Sequence, residues 1–172
     1  NGIPEVSLVT RAELCYDPRT ATTAWTRNPA LIARAYIAKH YPSAAFNDAS
    51  VIAAANACDE TVSVDGSTTQ ARYTFDDVIS SDTAPKEGLE RILQSMVGSA
   101  VESGGEWFMW AGAYEAPTIA LDESDISEGE IVIQSDSEAG ELFNGVSGKY
   151  LDATKWVEDS FPAYISPTYV AM

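Results

Sequence analysis

The sequence predicts an α+β fold, and two patterns in its 172 residues lead to that prediction. Apolar residues at helical spacing are found mainly between residues 29 and 97. After residue 99 the pattern changes to a β-hairpin followed by further, mostly antiparallel strands. Helices kept apart from strands along the chain are typical of an α+β fold, whereas a doubly wound parallel sheet alternates them.

The first predicted elements are two short extended pieces and a helix. The extended pieces cover residues 6–9 and 14–16, and residues 17–20 form a turn. Asn28 is a helix cap and Pro29 suits the first helical position, so a helix is expected from there to about Tyr41, where Pro42 stops it. Its predicted apolar face consists of Leu31, Ile32, Ala35, Tyr36 and Ala38.

A second helix is expected to begin at Asn47 or Asp48, either of which can cap it. Its predicted apolar stripe consists of Val51, Ile52, Ala55 and Cys58, and its many alanines allow close packing against a neighbour. A strand at 61–64 with a turn at 65–66 follows. Alternation of polar and aromatic residues predicts another strand at 72–75.

The clearest helix comes third, with caps offered by residues 81–83, an exposed Glu87–Arg91 pair and an end at Gly98. Its apolar positions are Leu89, Ile92, Leu93, Met96 and Val97. A hairpin of strands 99–103 and 106–110 around Gly104-Gly105 follows. The remaining predicted strands cover 119–121, 130–134 and 142–151, and Tyr164 begins a last extended stretch.

Composition and charge exclude several classes of protein. With 45% hydrophobic and 10% aromatic residues the chain is not disordered, and no apolar run approaches the length of a membrane-spanning helix. Its 26 acidic against 10 basic residues give a net charge of −16, which argues against nucleic-acid and anionic-membrane partners. Eight acids lie between Asp122 and Glu141 with no basic residue among them. We expect this 122–141 stretch to be solvated or to line a ring.

No catalytic, cofactor-binding or metal-binding residues are predicted, and the chain is not expected to be an enzyme. A single histidine, His40, excludes a two-histidine zinc site, and its place in the last helical turn suits the helix dipole. Cys15 and Cys58 are predicted to be buried free thiols, although their spacing leaves a bridge open. Val146 stands where a phosphate loop needs lysine. The acids misfit a calcium loop, so calcium or a basic partner stays a minor alternative.

The two tryptophans of the predicted hairpin carry another alternative function. Trp107 and Trp110 could stack on sugars, and some pair among the many carboxylates could act on a glycan. Because one position is odd and the other even, the two side chains should face opposite sides of the strand. We expect one to pack in the core and the other to be partly exposed, with a carbohydrate-binding or carbohydrate-active domain as the alternative.

Several segments, taken in order, resemble one family across nearly the whole chain. They are Asn1-Gly2-Ile3-Pro4, Asp17-Pro18-Arg19, Trp25-Thr26-Arg27-Asn28-Pro29-Ala30, Ala57-Cys58-Asp59-Glu60, Arg72-Tyr73-Thr74, Gly104-Gly105-Glu106-Trp107, Ala111-Gly112-Ala113-Tyr114-Glu115-Ala116-Pro117 and Asn144-Gly145-Val146 before Tyr150. This series resembles the central tail-hub and tip attachment proteins of long-tailed phages, the group of protein J of lambda-like phages. The segment around Asn28 and the helix–hairpin of residues 84–117 carry most of the resemblance.

The resemblance implies a structural role in a phage or prophage virion. Such proteins form trimeric hubs at the tail tip, linking the tail tube to receptor-binding parts, so the implied partners are other tail proteins and copies of itself. It implies no catalytic residues, and a virion tail tip made in the bacterial cytoplasm. Separately from the resemblance, no nucleic-acid partner and no membrane insertion are expected, and a monomer is one expected state of the isolated chain.

The expected organisation is a single fragment, 1–172, of a longer tail protein, because the chain opens without methionine or a signal peptide. Residues 24–120 would form an inserted module, with 1–20 and 126–172 adding strands to a barrel-like part. Such a fragment should expose apolar sheet edges meant for its neighbours.

Overall fold

The structure is a computed structural model that describes residues 10–11, 13–63, 67–114, 116–117, 119–120, 145–152 and 157–165. The chain divides into two compact units, Asn1–Pro117 and Thr118–Met172. The described helices all lie in the first unit, and nearly all strand pairs are antiparallel, which confirms the predicted α+β class. The inserted module and the barrel-like part stay predictions, and the strands expected at 6–9 and 130–134 lie outside the described residues.

The described elements follow one another in this order. They are β1 (Leu14–Asp17), β2 (Thr22–Trp25), α1 (Pro29–His40), β3 (Ala45–Phe46), α2 (Asp48–Asp59), β4 (Thr61–Ser63), β5 (Thr69–Ala71), α3 (Pro85–Ser95), β6 (Ser99–Ser103), β7 (Glu106–Trp110), β8 (Gly145–Asp152) and β9 (Val157–Ile165). β1 pairs with β2, β4 with β5, and β8 with β9, each antiparallel. Four of these strands were not predicted from the sequence, namely β2, β3, β5 and β9.

The first helix begins where its cap predicts. The Asn28 side-chain oxygen accepts hydrogen bonds from the backbone N–H groups of Ala30 and Leu31, at 3.0 and 3.4 Å. Pro29 takes the first helical position, and the helix ends before Tyr41. Cap chemistry is local in sequence, so this helix could be placed from its first residues alone.

Burial of α1 differs from the predicted single face. The fully buried residues include Ala30, Ala33 and Ile37, none of which the predicted face contained, while Ile32 and Tyr36 are only half-buried. The reason is that α1 is central: it contacts α2, α3 and β1. A helix packed on several sides buries most of its circumference and shows little amphipathic pattern.

The second helix matches its prediction closely. Asn47 is the cap, since its side-chain oxygen accepts the N–H of Ser50 at 3.1 Å. Its buried residues are Val51, Ala54, Ala55 and Cys58, and Ile52 is half-buried.

The third helix starts later and ends earlier than expected. It begins at Pro85 with no side-chain cap, so the predicted caps at 81–83 are wrong. At its end the N–H of Gly98 donates to Leu93 O and the N–H of Val97 to Gln94 O, the two bonds of a Schellman motif. Val97 therefore lies off the helix with φ +50° and is 73% exposed, whereas the sequence placed it on the apolar stripe.

The predicted surface pair of α3 is also wrong. Arg91 forms an ion pair with Asp77 in the preceding loop instead of with Glu87. The i,i+4 pair that does form on this helix joins Lys86 to Glu90 at 3.7 Å.

The hairpin of β6 and β7 is confirmed residue by residue. Ser103 pairs with Glu106 across Gly104 and Gly105, whose φ angles of +63° and +85° suit a type I′ turn. β3 joins the other side of β7 in parallel, which gives a three-stranded sheet in the order β3-β7-β6. β6 is therefore an edge strand within the described part of the chain.

The strand predicted at 72–75 is wrong, because β5 ends at Ala71. The chain beyond is extended but makes no ladder: the N–H of Tyr73 donates to Cys58 O and that of Phe75 to Arg27 O. The alternation that suggested a strand reflects burial, since Tyr73 and Phe75 pack against the core while Thr74 is exposed.

One hydrophobic core fills the first unit between its helices and the three-stranded sheet. Its buried members are Cys15, Ala30, Leu31, Ala33, Ile37, Val51, Ala54, Ala55, Cys58, Ile92, Met96 and Met109. It draws on all three described helices, on β1 and on β7.

The described part of the second unit is a single hairpin, β8 with β9, carrying an irregularity between Val146 and Gly148. None of its described side chains is buried. Tyr164 lies near the end of β9 and begins no new stretch, and residues 119–120 belong to no strand, so both predictions are wrong. β9 contains Pro162, which obscured the strand in the sequence.

Candidate functional site

The residues that the structure describes hold no group of three or more His, Cys, Asp or Glu side chains placed to bind a metal ion. His40 lies in the last turn of α1, where the sequence placed it, with its ring centroid 4.5 Å from that of Tyr36. The 122–141 acidic stretch lies outside the described residues, so its solvated or ring-lining role stays a prediction. No helix among the described residues is long and apolar enough to cross a membrane.

Both cysteines are free and buried, as predicted. Burial raises the pKa of the Cys58 thiol from its ordinary value of 9.0 to about 11. The pKa of Cys15 is also raised, chiefly by burial and secondly by Glu13. Since a thiolate is the reactive form, a raised pKa disfavours reaction of either thiol at neutral pH. Cys58 instead packs with its sulfur 3.8 Å from that of Met96.

Two arginines of the motif segments, Arg19 and Arg27, form ion pairs that link separate parts of the first unit. Arg19 binds Asp17 in its own turn and Asp59 at the end of α2, each at 2.8 Å. Hydrogen bonds from Arg19 hold the pKa of the Asp17 carboxyl below its usual range. Arg27 pairs with Asp76 in the same manner. Both arginines therefore join separate pieces of the fold.

Asn28 and Tyr73, also from those segments, bridge distant parts of the first unit. The Asn28 side chain is buried, and its amide nitrogen donates to the Ala55 carbonyl of α2 at 2.9 Å. The Tyr73 hydroxyl donates to the Gly112 carbonyl beyond β7. The described motif residues therefore have structural roles: they cap a helix, form hydrogen bonds between distant segments, or form a turn.

One further arginine is held by aromatic rings. The Arg34 guanidinium stacks on Tyr16 and Phe46, with its central carbon 4.8 and 4.6 Å from the ring centroids. It lies 3.7 Å from Asp48, and its buried Nε has no hydrogen-bond partner. Arg34 thereby joins β1, α1 and β3 by stacking.

Two surface cavities are lined in part by residues of α3. The first, of about 220 Å³, is aromatic and lies at the end of α1. The second, of about 540 Å³, lies beside β6 and is called the α3 hollow below. The lining of the first includes Tyr36, His40, Tyr41, Lys86, Leu89 and Trp107. The lining of the α3 hollow includes Leu89, Glu90, Leu93, Gln94, Ser99 and Ala100.

The two faces of the sheet differ, as strand parity predicts. Trp107 and Met109 face the core, whereas Phe108 and Trp110 lie on the outer face with their rings stacked 6.1 Å apart. Val101 pairs with Phe108 across the strands on that outer face and is 49% exposed, and Trp110 is 45% exposed. The predicted opposite placement of the two tryptophans is confirmed.

The edge of β6 leaves backbone groups unused. The Trp107 carbonyl accepts from Asn47 at 2.9 Å and the Met109 N–H donates to the Ser50 hydroxyl at 3.2 Å, so both groups point away from β6. Antiparallel pairs alternate between bonded and non-bonded residues. The residues opposite these two, Glu102 and Ala100, therefore point their N–H and C=O groups outward.

We call these four groups the free edge, and none of them has a partner in the described ranges. The sequence did not indicate this edge, because strand order depends on the distant pairing of β3 with β7. The one signal available was the parity of the positions in β7, which puts Phe108 on the same face as Trp110.

Comparison of the chain with protein-family models, curated proteins and solved structures finds no match in any of the three.

Proposed function

We propose that this chain is a structural module of a phage or prophage tail tip, part of the central hub that links the tail tube to receptor-binding parts. The observation that carries the proposal is the combination of ordered motif segments with sheet surfaces left open. In this proposal the chain performs no catalysis, and its partners are other tail proteins and further copies of itself in the hub.

The positions of the motif residues support this role. Asn28 caps α1 from within the core, Arg19 ties the β1–β2 turn to α2, and Gly104 with Gly105 forms the turn of the hairpin. Residues that form a binding or catalytic site converge on a cavity, whereas these are spread through the fold. Such a distribution suits a scaffold whose task is to keep its shape.

Open apolar surface supports it as well. Among the described residues the free edge of β6 has no partner, Trp110 on the outer face is exposed and Phe108 beside it is half-buried. The described side chains of the β8–β9 hairpin are all at least partly exposed. Exposed sheet edges of this kind promote association with other chains. A module that is completed by neighbours in an assembly is expected to present such surface.

Immunogold electron microscopy tests the proposal directly. Antibodies raised against the 172-residue chain should label the distal end of long-tailed particles produced by the source strain, and the flanking coding sequence should contain tail genes. Labelling absent from every particle, or a free-standing short reading frame far from tail genes, would contradict the proposal.

A carbohydrate-binding domain is the second candidate, and the Phe108–Trp110 stack favours it. Two stacked aromatic rings with Glu106 on the same strand face offer a platform and a hydrogen-bond acceptor for a sugar. A glycan array with the intact chain and with Trp110→Ala decides. Binding that Trp110→Ala abolishes supports this candidate, and an array without binding removes it.

A further inference from the structure

Among the described residues β6 pairs with β7 on one side and leaves the free edge on the other. The side chains around this edge indicate what kind of strand could pair with it. We propose that this edge binds an extended segment of another polypeptide as an added antiparallel strand. The segment carries a basic residue opposite Glu102 and apolar residues opposite Val101 and Ala100. The inference concerns the edge itself, and it stands whether or not the chain belongs to a tail hub.

Backbone complementarity is the first argument. Ala100 and Glu102 together present two N–H and two C=O groups outward, spaced as the bonded positions of an antiparallel ladder. An added strand satisfies all four groups without any change in the β6–β7 hairpin. Strand addition to an exposed edge is a general mode of peptide recognition, in which these main-chain bonds supply much of the affinity.

The outer face supplies the second argument. Val101 is the middle residue of β6. On an added strand, the residue that pairs with Val101 would lie directly opposite it on the same face of the sheet. The row Val101–Phe108 would then extend by one apolar residue, covering surface that is now exposed. A β-branched residue suits this position, because such residues pack well in cross-strand rows.

The α3 hollow supplies the third argument. Its lining joins Ser99 and Ala100 of β6 to Leu93 and the exposed Gln94 of α3, so it opens to solvent beside the edge strand. The residue of an added strand opposite Ala100 faces the same inner side of the sheet. A leucine there would enter the hollow and cover Leu93, which is only half-buried.

Charge decides the remaining position and the kind of partner. Glu102 is exposed and forms no hydrogen bond or ion pair among the described residues. Glu90 and Lys86 also line the hollow, and they form an ion pair with each other at 3.7 Å. A basic residue opposite Glu102 therefore meets an unpaired carboxylate. A second copy of this chain fits less well, since it would bring another Glu102 to the same face and add a second net charge of −16.

The experiment uses the intact chain labelled with ¹⁵N and the capped peptide acetyl-Thr-Lys-Val-Leu-Thr-amide. Written in this direction, the peptide places Lys opposite Glu102, Val opposite Val101 and Leu opposite Ala100. We expect titration to shift the amide resonances of Ala100 and Glu102 and to slow their hydrogen exchange. The same peptide with methylated backbone nitrogens at Lys and Leu lacks the donors that face the edge, so it should bind at least about fivefold more weakly.

Variants at one position separate backbone from charge. Glu102→Gln keeps the outward N–H and should weaken binding about threefold, while Glu102→Pro removes the N–H as well and should weaken it about tenfold. Proline is tolerated on an edge strand where the lost N–H faces solvent, so the hairpin should remain folded. Unchanged resonances of Trp107 and Phe108 check this.

A charge exchange makes the test independent of the proline variant. Glu102→Lys should bind the lysine peptide about tenfold more weakly and should prefer acetyl-Thr-Glu-Val-Leu-Thr-amide. Absence of shifts at Ala100 and Glu102 would overturn the proposal, and so would equal binding of the methylated peptide. Concentration-dependent shifts at the edge without peptide, with a doubled mass in light scattering, would overturn it in favour of a second copy.

Discussion

The first unit and the β8–β9 hairpin differ in what stabilises them: the first unit has a buried hydrophobic core, whereas the hairpin has backbone pairing but no buried side chain among its described residues. Three helices and a sheet in the first unit enclose a core that includes Leu31, Ile92 and Met109 at no more than 2% exposure. The hairpin has a longer ladder than any strand pair in the first unit, yet none of its described side chains is buried. Backbone pairing alone gives a two-stranded hairpin only marginal stability in water.

The comparison teaches where partners are needed. We expect a unit with its own core to fold without help, and among the described residues this unit presents β6 as an unpaired edge. A hairpin with exposed Tyr150, Phe161 and Tyr164 gains most of its stability from whatever covers these side chains.

The largest effect is expected in the core. Ile92→Ala removes a fully buried side chain of α3 and should lower the free energy of unfolding by about 2–5 kcal/mol, because a cavity is left between the helices. Val146→Ala in the hairpin, where Val146 is 61% exposed, should change it by less than about 0.5 kcal/mol. Urea denaturation followed by tryptophan fluorescence measures both. Equal losses would break the comparison.

The next effect concerns the two asparagine caps. Asn28→Ala should cost about 2–3 kcal/mol, because it leaves two helix N–H groups without their cap and removes the buried hydrogen bond that joins Asn28 to the Ala55 carbonyl of α2. Asn47→Ala removes a less buried cap and should cost about 1 kcal/mol. Thermal unfolding of the two variants gives the ranking, and the reverse order would contradict the bridging role of Asn28.

Alkaline pH tests the buried thiol. The pKa of Cys58 is raised on folding from 9.0 to about 11, so its stabilising contribution is complete below pH 9 and is lost as the pH rises through about 11. The free energy of unfolding should fall by about 2 kcal/mol more over this range in the native chain than in Cys58→Ala. Parallel pH profiles for the two proteins would show that Cys58 is not buried in its neutral form.

The smallest expected effect is a gain. Val97 is exposed and holds φ +50°, a left-handed conformation that is unfavourable for a β-branched residue. Val97→Gly should raise the free energy of unfolding by about 1 kcal/mol. Val101→Gly, at an exposed strand position, serves as the control and should lower it by a similar amount. Loss of stability in both variants would show that Val97 carries packing which its exposure does not suggest.

Local signals explain what could be predicted from the sequence. Asn28 with Pro29 marks the start of α1, and Gly104 with Gly105 marks the hairpin turn, because capping and turn formation depend on adjacent residues. The parity of Trp107 and Trp110 predicts their opposite faces for the same reason.

Long-range contacts explain what could not be predicted. Polar and aromatic residues alternate around Tyr73 as they do in a strand, but the backbone N–H groups of this segment donate to α2 and to Arg27 instead of to another strand. Burial of Ala33 and Ile37 depends on helices that follow later in the chain. The free edge could not be predicted, because its position depends on the pairing of β3 with β7. β3 is only two residues long and lies about 60 residues before β7 in the chain.

Native-state hydrogen exchange tests the central claim most directly, namely that the first unit is stable by itself while the hairpin and the free edge await a partner. We expect the amides of Ile37 and Ala55 to exchange only through global unfolding, and those of Tyr150, Ser160 and Glu102 to exchange faster by orders of magnitude. Protection of Tyr150 and Ser160 equal to that of Ile37 in the isolated chain would contradict the claim.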